Sequence, residues 1–215
     1  MNDDVAGVDG CRGGWVVATH RGWRVVPSFS AIAREFSLVG VDMPIGLPDG
    51  WHREADRAAR AFIRPRGSCV FPTPPRCLVA HEDYATANAA SRARFGVGLT
   101  RQTFHLLPKI RDVDAAVDAR SQHRFLEVHP ECSFAALTGA VLAPKRTSEG
   151  RRQRADALGA VFGPIELRSS IAVQPDDVLD AYAVLWTALR HQRGDSIVLG
   201  GGEVDATGLV MRIVV

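Results

Sequence analysis

Two short runs deliver a carboxylate in the same way: Ala6-Gly7-Val8-Asp9 and Val39-Gly40-Val41-Asp42. Each is an apolar stretch that ends in an aspartate with a turn behind it. A carboxylate at the exit of a buried strand is costly to desolvate unless a cation or several hydrogen-bond donors compensate it. One such residue reads first as a turn or cap; two in matching context point to neighbouring strands that share a site. A third source is the run Pro175-Asp176-Asp177-Val178-Leu179-Asp180, where Asp177 and Asp180, or Asp176 and Asp180, share one helix face. The helix macrodipole accounts for an acid in the first turn, hence for Asp176 or Asp177, and less well for Asp180. Glu127 and Glu131 flank His129 and Pro130 and add two further carboxylates, whose plainer reading is a solvated strand face. Donors that are all oxygen suit Mg²⁺ or Mn²⁺. Two such ions about 4 Å apart are the general apparatus for activating water on a phosphodiester.

The elements that must position these acids follow from hydrophobic periodicity. Val5–Asp9, Trp15–His20 and Trp23–Phe29 read as an antiparallel meander, joined by a glycine-rich turn and by Arg21-Gly22. A short helix is expected over Ser30–Phe36, capped by Ser30, and a buried fourth strand over Leu38–Asp42. From Pro44 onward prolines cluster, with helical stretches at 52–63 and 80–95 and another over Lys109–Arg120. This region, about 44–120, reads as an insertion that wraps over something. A fifth strand lies in "RFLEVHPECSF", placing Glu127, His129 and Glu131 on one face if it runs that far. "KRTSEGRRQRADAL" reads as a polar loop entering a helix. Pro175–His191 is the strongest helix, and the tail is a pair of strands.

Bulk properties limit the alternatives. A chain of 215 residues with 46% hydrophobic content buries a real core as one domain, 1–215. A net charge of +2 does not by itself argue for nucleic acid. The four cysteines form no C-x-x-C pair, so structural zinc and a disulfide framework are not expected. No run resembles a secretion signal or a membrane span, so the expected location is a reducing cytoplasm. The glycines of "GVDGCRGGW" are no phosphate loop, because no lysine and no Ser/Thr follow Gly13-Gly14. They read as the turn from strand one to strand two. Cys132 and His129 make a weak nucleophilic pair, since Cys132 reads equally as a small core residue.

The order of three antiparallel strands, a helix, a parallel fourth strand and an aspartate pair on a late helix resembles the ribonuclease H-like superfamily. Within it, "GVDGCRGGW", "VDMPIGLP", "SCVFPTPPR", "LEVHPECSF", "KRTSEGRRQR" and "DDVLDAYAVLWTA" resemble an uncharacterised predicted-nuclease family, domain-of-unknown-function family 429. The resemblance implies an α/β fold: a ribonuclease H-like mixed sheet flanked by helices, with a proline-rich helical insertion between strands four and five. It implies Asp9, Asp42, Glu127, Asp177 and Asp180 as a metal-binding catalytic set for Mg²⁺ or Mn²⁺, with Lys145 as a catalytic cation. It makes Arg76, Lys109 and Arg154 substrate contacts. The expected partners are a nucleic acid or nucleotide substrate and a second copy of the chain, with no membrane. The insertion has no counterpart in a minimal fold of this kind, which argues for something smaller than a long duplex. Two other classes stay open: a nucleotide-using enzyme of the actin-like and sugar-kinase superfold, and a non-catalytic protein that binds a metal or ligand.

Overall fold

The computed structural model describes residues 4–215. Three strands, β1 (Val5–Cys11), β2 (Gly14–Thr19) and β3 (Gly22–Val26), form the antiparallel meander. Helix α1 (Phe29–Glu35) leads to β4 (Leu38–Val41), which pairs with β1 in parallel. Between β4 and β5 (Phe125–Glu127) lie α2 (Glu54–Phe62), α3 (Arg76–Val79), α4 (Tyr84–Phe95) and α5 (Arg101–Asp114), with 3₁₀ turns at Gly67–Cys69 and Gln122–Arg124. Then follow α6 (Pro130–Thr138), α7 (Ser148–Phe162), α8 (Pro175–Arg193) and the hairpin β6 (Val198–Val204) and β7 (Val210–Val214). The five-stranded sheet has the order β3-β2-β1-β4-β5, and β5 pairs with β4 in parallel. Among the described residues no helix is long and apolar enough to cross a membrane.

Side chains alternate between the two faces of the sheet, and each face has its own core. On one face Val8, Trp15, Val17, Val39 and Val41 pack against Phe29 and Ile32 of α1 and Leu107 and Ile110 of α5. On the other, Val5, Val16, Ala18 and Leu126 pack against Val178, Ala181, Val184 and Leu185 of α8. A third cluster joins Ala55 and Ala59 of α2, and Ile63 just after it, to Ile213 of the terminal hairpin.

Two glycines inside the strands are needed for close packing. A methyl group on Gly7 would lie 2.1 Å from the Leu185 nitrogen and 2.2 Å from the Ala181 oxygen. One on Gly40 would lie 2.8 Å from Val184 Cγ1. These two positions let α8 rest directly on β1 and β4. Because the helix backbone cannot yield as a side chain can, Gly7→Ala is expected to destabilise the fold by about 3 kcal/mol, the upper end for overpacking. An unchanged urea midpoint would show instead that α8 shifts away without penalty.

Several expected boundaries move, each for a local reason. Helix α1 starts at Phe29 rather than Ser30, where the Asp112 carboxylate accepts the Phe29 N–H at 2.9 Å and Ser28 holds the cap position. Helix α5 begins eight residues before Lys109, because Thr100 caps it by accepting from the Thr103 N–H, and Pro108 is carried within it on the exposed side. It ends at Asp114, not Arg120. Strand β5 stops at Glu127. Pro130 is the first residue of α6, so His129 is that helix's cap residue and Glu131 lies in its first turn.

Candidate active site

Strand alternation decides which acids meet. Gly7 and Asp9 stand on the same face of β1, and Asp9 is opposite Val16, a member of the α8-side core. Gly40 and Asp42 follow the same alternation on β4, where the Asp42 N–H continues the parallel ladder to the Val8 carbonyl at 3.0 Å. Two residues after each close-packed glycine, the chain therefore presents a carboxylate to the side of the sheet that α8 covers. Asp180 precedes Ala181 on that helix and is 3% exposed; Asp9 is 7% exposed. Asp177 stands one turn nearer the helix start. There it is the N3 residue of a capping box, accepting the Gln174 N–H at 2.8 Å through Oδ2. Asp177 is thus both a capping acid of the first turn and part of the cavity lining.

The electrostatics record the crowding. Burial, then the charges of Asp42 and Asp180, raise the Asp9 carboxyl well above the ordinary range. Burial, then Asp180, push Asp42 up to about 8. Asp177 is raised as well, chiefly by burial. Lys145 faces the group from the loop before α7. Its ammonium donates to Asp180 Oδ2 at 2.7 Å, and the fields of Asp180, Asp9 and Asp42 hold its pKa above the usual lysine value. Asp9 Oδ1 accepts the Gly10 N–H at 2.8 Å.

Glu127, expected among the site acids, does not line the cavity that holds Asp9, Asp42, Asp177 and Asp180, although its charge adds to the rise of Asp42. Leu126 belongs to the α8-side core, while Phe125 belongs to the opposite one, so Glu127 stands on the opposite face. There its carboxylate accepts from both terminal nitrogens of Arg53 and from the Ile45 N–H at 2.7 Å. Arg76 and Arg154, expected as substrate contacts, are also engaged elsewhere. Arg76 binds Asp114 and Asp205, tying α5 to the turn of the terminal hairpin. Arg154 is 1% exposed, grips both oxygens of Glu131 at 2.7 Å, and donates to the Ala143 carbonyl at 2.8 Å. It thereby anchors the loop that carries Lys145. Lys109 does reach the site: it donates to the Gly14 carbonyl and lies 4.4 Å from the Trp15 ring centroid.

The acids line a cavity of about 550 Å³ that also takes in Lys109, Lys145, His129 and Glu131. Sequence reasoning missed part of its wall, contributed by the segment between β4 and β5: Arg66, Ser68, Phe71, Gln102 and His105. The signal for Gln102 and His105 was helical spacing with Leu106 and Lys109, visible only once α5 is started at Thr100. Nδ1 of His129 is buried without a hydrogen-bond partner.

Among the described residues no group of three or more His, Cys, Asp or Glu side chains is placed so that it could hold a metal ion. The donor set nevertheless has the right chemistry. Asp9, Asp42, Asp177 and Asp180 are all hard oxygen donors, and burial followed by mutual repulsion raises Asp9 and Asp42, with Lys145 as the contacting ammonium. A divalent cation is the natural compensation for that excess charge.

A family model described as "Protein of unknown function (DUF429)" matches residues 7–204. No curated protein and no solved structure matches the chain.

Proposed function

We propose that this chain, which belongs to the DUF429 family of proteins of unknown function, is a divalent-metal-dependent phosphodiester hydrolase on a ribonuclease H-like sheet. One observation carries the reading: two strand-end aspartates and the aspartates of one helix converge in a cavity, with a lysine ammonium set against them. The sheet order, with β1 central, flanked by antiparallel β2 and parallel β4, agrees with the ribonuclease H-like resemblance. Asp9, Asp42 and Asp180 would hold Mg²⁺ or Mn²⁺, with the remaining oxygen of Asp177 beside them. Such an ion, when bound, polarises a phosphoryl oxygen and acidifies water.

The chain's own groups supply the rest. The ammonium of Lys145 has three donors, of which Asp180 takes one, so others are free to meet a phosphate oxygen. Held protonated by its carboxylate neighbours, it stabilises charge as the transition state develops. The reaction is a hydrolysis. The water oxygen forms a bond to phosphorus, the bond to the leaving sugar oxygen breaks, and the water's proton passes through solvent to that oxygen.

Turnover of a phosphodiester panel with Mn²⁺, abolished by a chelator, tests the assignment. Lys145→Met is expected to lower turnover about 100-fold while Mn²⁺ binds at least as tightly as in the parent protein, because an ammonium no longer competes for Asp180. Full activity of that variant would remove Lys145 from the mechanism.

A further inference from the structure

The cavity wall also limits what can reach the carboxylates. This inference rests on the hydrolase reading for the reaction, and on the cavity alone for the ligand. A volume of about 550 Å³ falls in the range of small-molecule sites, about 300–1,000 Å³. The acids form one side. The facing wall comes from the segment between β4 and β5, where Gln102, His105, Leu106 and Lys109 project from α5 with the spacing of a single helix face. The turn at Gly67–Cys69 and the residues beside it close another side with Arg66, Ser68 and Phe71.

The chemistry of this wall is mixed in a specific way. Two cations are fixed in place: Arg66 by the Leu142 carbonyl at 2.6 Å, and Lys109 by the Gly14 carbonyl and the Trp15 ring. Arg66 also stands 3.8 Å from Glu131 and donates to Cys69 Sγ. Phe71 and Leu106 offer an apolar surface, and Gln102 offers both donors and an acceptor. Cations for phosphate, a ring for stacking and an amide for a base edge together describe a nucleotide.

We infer that the cavity takes a single-stranded phosphodiester of one or two nucleotides, with the phosphate toward the carboxylates and a base against Phe71 and Leu106. Asp9 and Asp180 are 7% and 3% exposed and Asp42 and Asp177 half-buried, so a duplex or a four-way junction should reach them less readily than a short single strand.

The test is equilibrium binding by calorimetry in Ca²⁺, paired with Mn²⁺-dependent hydrolysis. The probes are a thymidine dinucleotide, a 20-base-pair duplex, a four-way junction and glucose 6-phosphate. The dinucleotide should bind at least about 10-fold tighter than any other probe, and Phe71→Ala should weaken it by about 10-fold through lost stacking. Gln102→Ala, at an exposed position on α5, should weaken it several-fold without affecting folding. Duplex or junction binding as tight as the dinucleotide, or equal binding of glucose 6-phosphate, would overturn the inference, as would no binding of any probe. Hydrolysis of bis(p-nitrophenyl) phosphate reports separately on the reaction. Its persistence without dinucleotide binding keeps the hydrolase reading and rejects this ligand. Dinucleotide binding without hydrolysis of any ester does the reverse.

Discussion

Asp9→Asn is expected to lower the proposed hydrolysis about 1,000-fold and to raise the melting temperature. The first half follows from position: Asp9 stands two residues before the end of the central strand, faces α8 and lies in the cavity with Asp42 and Asp180. If the proposed metal site holds, losing one of its ligands should reduce turnover on the order of 1,000-fold. The second half follows from charge. Asparagine keeps the oxygen that accepts the Gly10 N–H and removes a buried negative charge that Asp42 and Asp180 repel. Relieving that repulsion is expected to stabilise the fold by about 1 kcal/mol, or about 2–4 °C for a domain of this size.

The pH dependence has a definite sign. Asp9 and Asp42 have raised folded-state pKa values, so the folded state holds protons that the unfolded state has released. Their penalty is absent below the unfolded carboxylate value of about 3.9. It grows as pH rises toward the value of about 8 for Asp42 and is complete above it. The parent protein should therefore lose stability from pH 5 to pH 9 through these groups, and Asp9→Asn should flatten the loss. Mn²⁺ should raise the parent's melting temperature by mass action and leave the variant's nearly unchanged. Scanning calorimetry at the two pH values checks both. A variant that melts lower at pH 8, or one that retains turnover, would overturn the assignment of Asp9.

What could be read from the residues depended on how local each signal was. The matching runs at 6–9 and 39–42 held two messages, and only the aspartates were legible. The glycine two residues earlier on each strand matters because α8, more than 130 residues further on, lies against it. Nothing near Gly7 in the chain announces that contact. The Asp177–Asp180 pair was legible because helical spacing is local. Glu127 was not, because its face depends on register: one residue of shift in the pairing of β5 with β4 would have turned it toward α8. Arg154 and Arg76 carried the composition of phosphate ligands, and only tertiary partners, Glu131 and the Asp114–Asp205 pair, show how they are spent. The wall built by α5 was lost to a misplaced helix start, since the helix expected from Lys109 begins eight residues earlier.

Those partners also set the largest expected effect on folding. Arg53 is 1% exposed and donates to Glu127, to Asp56 Oδ1 at 2.7 and 2.9 Å, and to the Gly46 carbonyl at 3.4 Å. Asp56 in turn accepts from the Thr73 N–H at 2.8 Å, and Glu127 from the Ile45 N–H. One guanidinium therefore joins α2, β5 and the two proline-rich loops on either side of α2. Arg53→Ala leaves two buried carboxylates without their cation, and should destabilise the protein by about 3–5 kcal/mol, a large part of the total stability of a typical domain, about 5–15 kcal/mol. Urea denaturation measures it. The double substitution Arg53→Met with Glu127→Gln fills similar volume and removes one stranded charge, so it should recover a substantial part of the loss. Glu127→Gln alone should lower the urea midpoint and change Mn²⁺ affinity less than about 10-fold, because the carboxylate is held by Arg53 and the Ile45 N–H and acts on Asp42 only through its field. A Glu127→Gln protein of normal stability that binds Mn²⁺ more than about 10-fold more weakly would return Glu127 to the metal site.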